Sequence, residues 1–168
     1  LTTLNHANVD QPLAVYRFLR DECGARFVQF IPIVERHHVD GVPFGADVVD
    51  RSVTATQYGQ FLIGAFEEWV RHDIGEVYVQ MFDVALANWY GEPSGLCVFS
   101  KTCGTALALE HNGDLYSCDH FVEPQHKLGN IKETHMIELV ASDQQRKFGQ
   151  DKFDTLPQYC LDCDVRFA

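Results

Sequence analysis

The chain has 168 residues, is 46% hydrophobic and 12% aromatic, and carries a formal net charge of -11. That apolar share builds a real core, in one domain or in a domain plus part of another, and excludes a disordered chain. The acidic balance is broken by no Lys/Arg-rich stripe, so nucleic acid is not an expected partner.

Residues 1–5, "LTTLN", read as a strand. Asp10 is placed to cap a helix with Pro12 in its first turn, Leu13, Tyr16 and Leu19 as its buried stripe, and Gly24 as its end. "RFVQFIPIV", Arg26 to Val34, is rich in β-branched and aromatic residues, so strand, helix and strand make a βαβ unit with parallel strands. Residues 35–53 carry Gly and Pro without a steady period and read as a long loop, with His37 and His38 solvated. Thr54 and Gln57 form a capping box. Tyr58, Phe61, Leu62, Ala65, Phe66 and Trp69 then recur at helical spacing as core, until Gly75. "EVYVQMF" is a short strand or extended link and "DVALANWYG" a short helix.

From Cys97 onward the character changes, because five of the six cysteines lie there. The boundary falls between 75 and 96. Residues 1–75 form an α/β piece and residues 76–168 a small α+β, cysteine-bearing module. The chain opens inside a strand and stops at "CDVRFA" without a closing turn, which reads as an excised fragment. A site that depends on outside residues is therefore expected to look incomplete. No apolar run approaches the roughly 18 residues of a membrane span, and no secretory leader opens the chain. The expectation is no membrane partner and a cytoplasmic location.

Asn112-Gly113-Asp114 between two apolar runs is a hairpin signal, since Asn and Gly accept the positive φ of such turns. It puts Cys118 on the returning strand. Strand alternation sends Cys118 and Asp119 to opposite faces unless a bulge or strand end re-aims one of them. Cys97, Cys103, Cys118, Cys160 and Cys163 are separated by steps of 6, 15, 42 and 3. Three chemistries compete for this set. A disulfide framework suits short secreted chains, and no secretion signal is present. Structural zinc fits the Cys160-x-x-Cys163 knuckle, and iron-sulfur ligation also takes four thiolates per cluster at irregular spacing. Spacing alone does not separate zinc from iron. Cys23 reads as a buried small hydrophobe. His120 reads as a hydrogen-bonded structural residue, with a ligand or proton-relay role as the alternative.

"CVFSKTCGTALALEHNGDLYSCDHFVEPQHKLGNI" followed by "FGQDKFDTLPQYCLDC" resembles the auxiliary-cluster (SPASM) domain of anaerobic sulfatase-maturating enzymes, in the radical S-adenosylmethionine superfamily. The preceding "VYRFL", "VQFIPIV" and "YGQFLIGAFEEWV" resemble the last strands and helices of that family's partial (β/α) barrel. The resemblance implies the C-terminal part of that barrel followed by a SPASM domain with a β-hairpin and short helices.

It further implies two auxiliary [4Fe-4S] clusters, with Cys97, Cys103 and Cys118 in the first and Cys160 and Cys163 in the second. The family supplies the remaining ligands beyond the position of Ala168. A third cluster and S-adenosylmethionine belong to an N-terminal C-x-x-x-C-x-x-C motif that this sequence lacks, so the chain by itself is expected to be inactive. Backbone around Val28 and Gln29 would lie near S-adenosylmethionine.

Asp119 holds the position of the family's base. A free Asp has a pKa of ~3.9, and partial burial beside an anionic cluster would raise it toward a useful range. The implied activity is oxidation of a Cys or Ser of a sulfatase to Cα-formylglycine. The implied partners are the sulfatase polypeptide and an electron-donor protein. Another SPASM peptide maturase that forges thioether crosslinks, and a non-enzymatic zinc module, remain the competitors. An exposed barrel edge would pair with a second copy, giving a dimer.

Overall fold

The computed structural model describes residues 1–39 and 42–166. The chain forms two compact units, Leu1–Asp83 and Val84–Ala168. In the first, β1 (Thr2–Leu4) leads to α1 (Pro12–Arg17), which continues as one π-helical turn over Phe18–Glu22. Pro12 occupies the start, where its missing N–H costs nothing, and Gly24 at φ 62 ends the run. The capping position is Gln11, with no side-chain cap, so Asp10 does not fill that role.

The next run splits into β2 (Phe27–Val28) and β3 (Phe30–Pro32). β3 pairs in parallel with β1, Thr2 opposite Phe30, while β2 pairs in parallel with β6 (Tyr78–Val79), Phe27 opposite Tyr78. One extended segment thus serves two neighbours, and the helical crossovers that parallel strands require are α1 and α2 (Ala55–His72). Alternation puts Val28 and Phe30 inward and leaves Phe27 exposed.

Between them the chain makes an antiparallel hairpin, β4 (Arg36–Val39) with β5 (Val42–Val48), where residues 35–53 read as a loop. The sequence does carry an Asp-Gly pair there, the usual signal for a tight turn. Pro43 and Gly45 in the next run obscure it. His37 lies on β4 and is exposed, while the side chain of His38 lies outside the described residues.

Thr54 caps α2 in a complete capping box with Gln57. Phe61, Ala65 and Trp69, four apart, make its buried stripe against Leu4, Tyr16, Val28, Phe30 and Val79. Each such large side chain contributes roughly 1.5–3 kcal/mol of burial. Phe61 meets Phe30 edge-on at 5.0 Å, and the Trp69 indole donates to the Val77 carbonyl at 2.7 Å. Two expectations fail on this surface. Leu13 is 39% exposed. Cys23 is exposed too, because the π turn carries it past the packed face.

The chain passes into the second unit within α3 (Gln80–Tyr90). A three-stranded antiparallel sheet follows, β7 (Ala108–Leu109), β8 (Asp114–Tyr116) and β9 (Lys127–Asn130), in that order. Gly113 sits at φ 96 in the β7–β8 turn, as its hairpin demands. Then come α4 (Met136–Val140), α5 (Asp143–Asp154) and α6 (Gln158–Leu161). Among the described residues, the buried hydrophobic side chains of this unit are Val84, Leu115, Cys118 and Leu139. So few apolar anchors leave the unit short of a self-sufficient core.

Candidate metal centre

β8 ends at Tyr116, so Cys118 lies two residues beyond the strand rather than on it. The Phe121 amide donates to the Cys118 carbonyl at 3.1 Å, which closes a β-turn with Asp119 and His120 at its corners. The Asp119 amide is pinned to the Ala106 carbonyl at 3.0 Å. This turn resolves the alternation problem: Cys118 is 2% exposed, while the side chains of Asp119 and His120 are 58% and 77% exposed. Asp119 is therefore not partly buried, contrary to the sequence-based expectation. Its carboxylate nevertheless accepts from the Cys118 thiol at 3.4 Å. His120 Nδ1 lies 3.6 Å from Asp119 Oδ1 and 3.9 Å from Cys118 Sγ.

The backbones around the first three cysteines are gathered by one face of α5. Gln145, Gly149 and Lys152 stand at i, i+4 and i+7 and so share a stripe. The Gln145 amide donates to the carbonyls of Gly104 at 2.8 Å and Ser117 at 3.1 Å. Gly149 accepts from the Cys103 amide at 3.0 Å and lies so close that a Cβ would sit 2.6 Å from the Cys103 oxygen. Lys152 Nζ donates to the carbonyls of Cys97 at 2.5 Å and Val98 at 2.9 Å. Phe148, on the neighbouring face, packs edge-on against Phe121 and His126.

All six cysteines are free. Burial pushes the Cys118 thiol up to about 11, the Asp119 and Cys103 charges push the same way, and the His120 amide opposes them. The buried thiol is thus influenced by a second thiol and stands beside a carboxylate. Two buried polar atoms next to it, Ser117 Oγ and Gln145 Oε1, have no hydrogen-bond partner. Three soft sulfur donors whose backbones are held by one helix face, with an orphaned hydroxyl on the residue before Cys118, fit an iron-sulfur cluster. Among the described residues, Cys118, Asp119 and His120 are the group of three whose ligand atoms all lie within 4.8 Å. Thiolates on separate irons of a cubane sit farther apart than ligands of a single ion.

Cys160 and Cys163 belong to a different place. α6 presents Cys160, half-buried, and the following turn presents Cys163, exposed. Both line a cavity of about 660 Å³ together with Val98, Lys101, Lys152 and Arg166. In the first unit, Val28 is in the core, and Val28 and Gln29 line a small cavity of about 210 Å³ together with Leu1, Phe27, Tyr78 and Gln80. Gln29 and Gln80 directly follow the ends of parallel strands β2 and β6.

Sequence reasoning overlooked Ser117, Gln145, Gly149 and Lys152. Only Gly149 gave a signal, a glycine inside a helical run, which marks close backbone approach.

A sulfur-rich α+β module following parallel β/α units defines an iron-sulfur domain joined to part of a β/α barrel. Residues 97–164 match SPASM, an iron-sulfur cluster-binding domain. The whole chain is 42% identical to the serine-type anaerobic sulfatase-maturating enzyme of Bacteroides thetaiotaomicron, and covers 42% of it. It is 24% identical to the cysteine-type enzyme of Clostridium perfringens, with 96% of this chain and 41% of that protein covered. The fold also matches a solved structure described as native anSMEcpe with bound AdoMet, at a TM-score of 0.79 and 24% identity over 98% of this chain and 44% of that one. The chain belongs to the anaerobic sulfatase-maturating enzymes and spans less than half the length of these relatives.

Proposed function

We propose that the protein carrying this chain is a radical S-adenosylmethionine enzyme that oxidises a residue of a sulfatase to Cα-formylglycine. Serine is the favoured target, because the relative at 42% identity is of the serine type and the one at 24% is of the cysteine type. Conversion of a CH2–OH side chain to CH=O removes a hydrogen atom, a proton and an electron. Two auxiliary clusters, one on Cys97, Cys103 and Cys118 and one on Cys160 and Cys163, each with further ligands, are the reading of the two thiol sets. When bound, these clusters and the one that cleaves S-adenosylmethionine supply the radical and accept the electron.

This chain's own residues do the rest. Asp119 takes the hydroxyl proton: it stands on a turn corner, open to a substrate, 3.4 Å from the Cys118 sulfur. Ligation of Cys118 would fix the turn, and with it the carboxylate. Backbone around Val28 and Gln29, which line the small cavity, would help to hold S-adenosylmethionine. The partners are a sulfatase polypeptide and an electron donor. Six free thiols suit a reducing cytoplasm.

One observation carries this reading: similarity to sulfatase-maturating enzymes along the whole chain, coupled to a solvent-open carboxylate set beside a buried thiol. The test is anaerobic incubation of the full-length protein with S-adenosylmethionine, a reductant and a serine-containing sulfatase peptide. An aldehyde and a mass loss of two hydrogens on that serine are expected. A thioether crosslink would identify a different SPASM maturase. Zinc without iron or inorganic sulfide in anaerobically purified protein would remove the reading.

A further inference from the structure

We propose that Lys152 is a positioning residue shared by the two thiol sets, holding the Cys97 turn while its charge sets the reduction potential of a cluster bound at Cys160 and Cys163. The inference rests on the reading that both thiol sets hold iron-sulfur clusters. In a chain of net charge -11, the cavity that contains Cys160 and Cys163 is lined by three cations, Lys101, Lys152 and Arg166, and by no carboxylate among the described residues. That local reversal of sign suits an anionic, thiolate-ligated group. Positive charge favours the more negative, reduced form of such a group, and so raises its potential.

The three cations are not equivalent. Lys101 Nζ lies over the Phe153 ring, 4.3 Å from its centre, and Arg166 donates to the Leu161 carbonyl at 3.3 Å. Lys152 alone of them also grips the first set, through the carbonyls of Cys97 and Val98. It sits in the last turn of α5, where a cation is favoured by the helix dipole. The same helix holds the Cys103 amide through Gly149. A charge change at Lys152 is therefore felt in the second set directly, and in the first set through the backbone of its leading ligand.

The test uses the full-length protein, loaded with iron and sulfide without oxygen, as wild type and as Lys152→Met, Lys152→Arg and Lys101→Met. Iron and sulfide per chain are measured, and auxiliary-cluster potentials are read by redox titration followed by electron paramagnetic resonance. Lys152→Met is expected to move one auxiliary potential to a more negative value and to lower iron content. Lys101→Met should move the same potential with full iron content, and Lys152→Arg should restore both readouts. Unchanged potentials in Lys152→Met and Lys101→Met overturn the proposal, as does an equal shift in Lys152→Arg, which would signal a steric rather than a charge effect. Should Lys152→Met fail to fold, the potential of Lys101→Met decides. A wild type that holds no iron and sulfide overturns the cluster reading itself, and so is distinguishable from failure of the Lys152 role alone.

Discussion

Replacing Gly149 by alanine tests whether α5 organises the thiol pocket. In an ordinary helix the change is favourable by about 1 kcal/mol, because glycine loses more backbone freedom on folding. Here the new methyl would lie 2.6 Å from the Cys103 carbonyl oxygen, while ordinary contact begins at 3.4 Å. The carbonyl must retreat by about 0.8 Å. Its neighbouring amide is tied to the Gly149 oxygen at 3.0 Å, so retreat also strains that hydrogen bond. Overpacking costs typically about 1–3 kcal/mol, and a weakened hydrogen bond about 1 more, which outweighs the propensity gain.

The expected net loss is about 1–3 kcal/mol, at roughly 4–8 °C of Tm per kcal/mol for a unit of this size. Thermal unfolding of the metal-free protein by circular dichroism measures it, and iron per chain after anaerobic loading reports the displaced Cys103. Gly59→Ala is the control. Gly59 lies in α2 with nothing within 4 Å of an added Cβ, so there the sign reverses and Tm rises. A Gly149→Ala protein that melts at or above wild type with full iron content would refute the idea that Cys103 is braced by α5.

Three further outcomes follow from the same geometry. Asp119→Asn, at a side chain 58% exposed, should leave melting and iron content unchanged while aldehyde formation drops by about 10²–10⁴, read by peptide mass spectrometry. Cys118→Ser should cost iron while Cys23→Ser, exposed in the other unit, should cost none, by colorimetric iron assay. The Asp114 carboxylate accepts from Lys127, Asn130 and Asn112, with Lys127 the largest influence, and lies below the usual carboxylate range. Its contribution is present above the unfolded pKa of ~3.9 and is lost as pH falls through the lower folded value. Asp114→Asn should lower stability at neutral pH and flatten the loss as pH falls below the unfolded value of ~3.9, seen in urea melts at several pH values.

What was legible in the sequence is what apolar periodicity and turn chemistry encode. Thr54 and Gln57 announced α2, and its stripe of Phe61, Ala65 and Trp69 is buried as its spacing requires. Asn112-Gly113 announced the β7–β8 turn. The β4–β5 hairpin was hidden because Pro43 and two nearby glycines argue against a strand, yet residues 42–48 form one. Cys23 misled because free cysteine is usually buried, and only the π turn put it outside. The support of the site was least visible. α5 reads "DQQRKFGQDKFD", and its inward face is made of an amide, a glycine and an ammonium that bind backbone carbonyls and amides. Hydrophobic patterning is silent about such a face, because the partners it serves are main-chain atoms brought from elsewhere in the chain.

The two units therefore rely on different physics. The first is held by an aromatic and aliphatic core, and its polar network is tied off internally: Tyr16 donates to Asp73 at 2.8 Å, and Arg20 joins the same carboxylate. The second buries few apolar side chains and fills its interior with Cys118, Ser117 and Gln145, two of them with unsatisfied atoms. An orphaned hydroxyl and a thiol pushed toward its neutral form are costly in a protein that must fold without a ligand. Iron ligated at Cys118, as proposed, would offset the cost of that thiol, because metal binding contributes free energy to folding. The poverty of this core and the richness of its sulfur go together: with the proposed ligation of Cys118, a cluster would complete the interior and the same bond would fix the turn that bears Asp119.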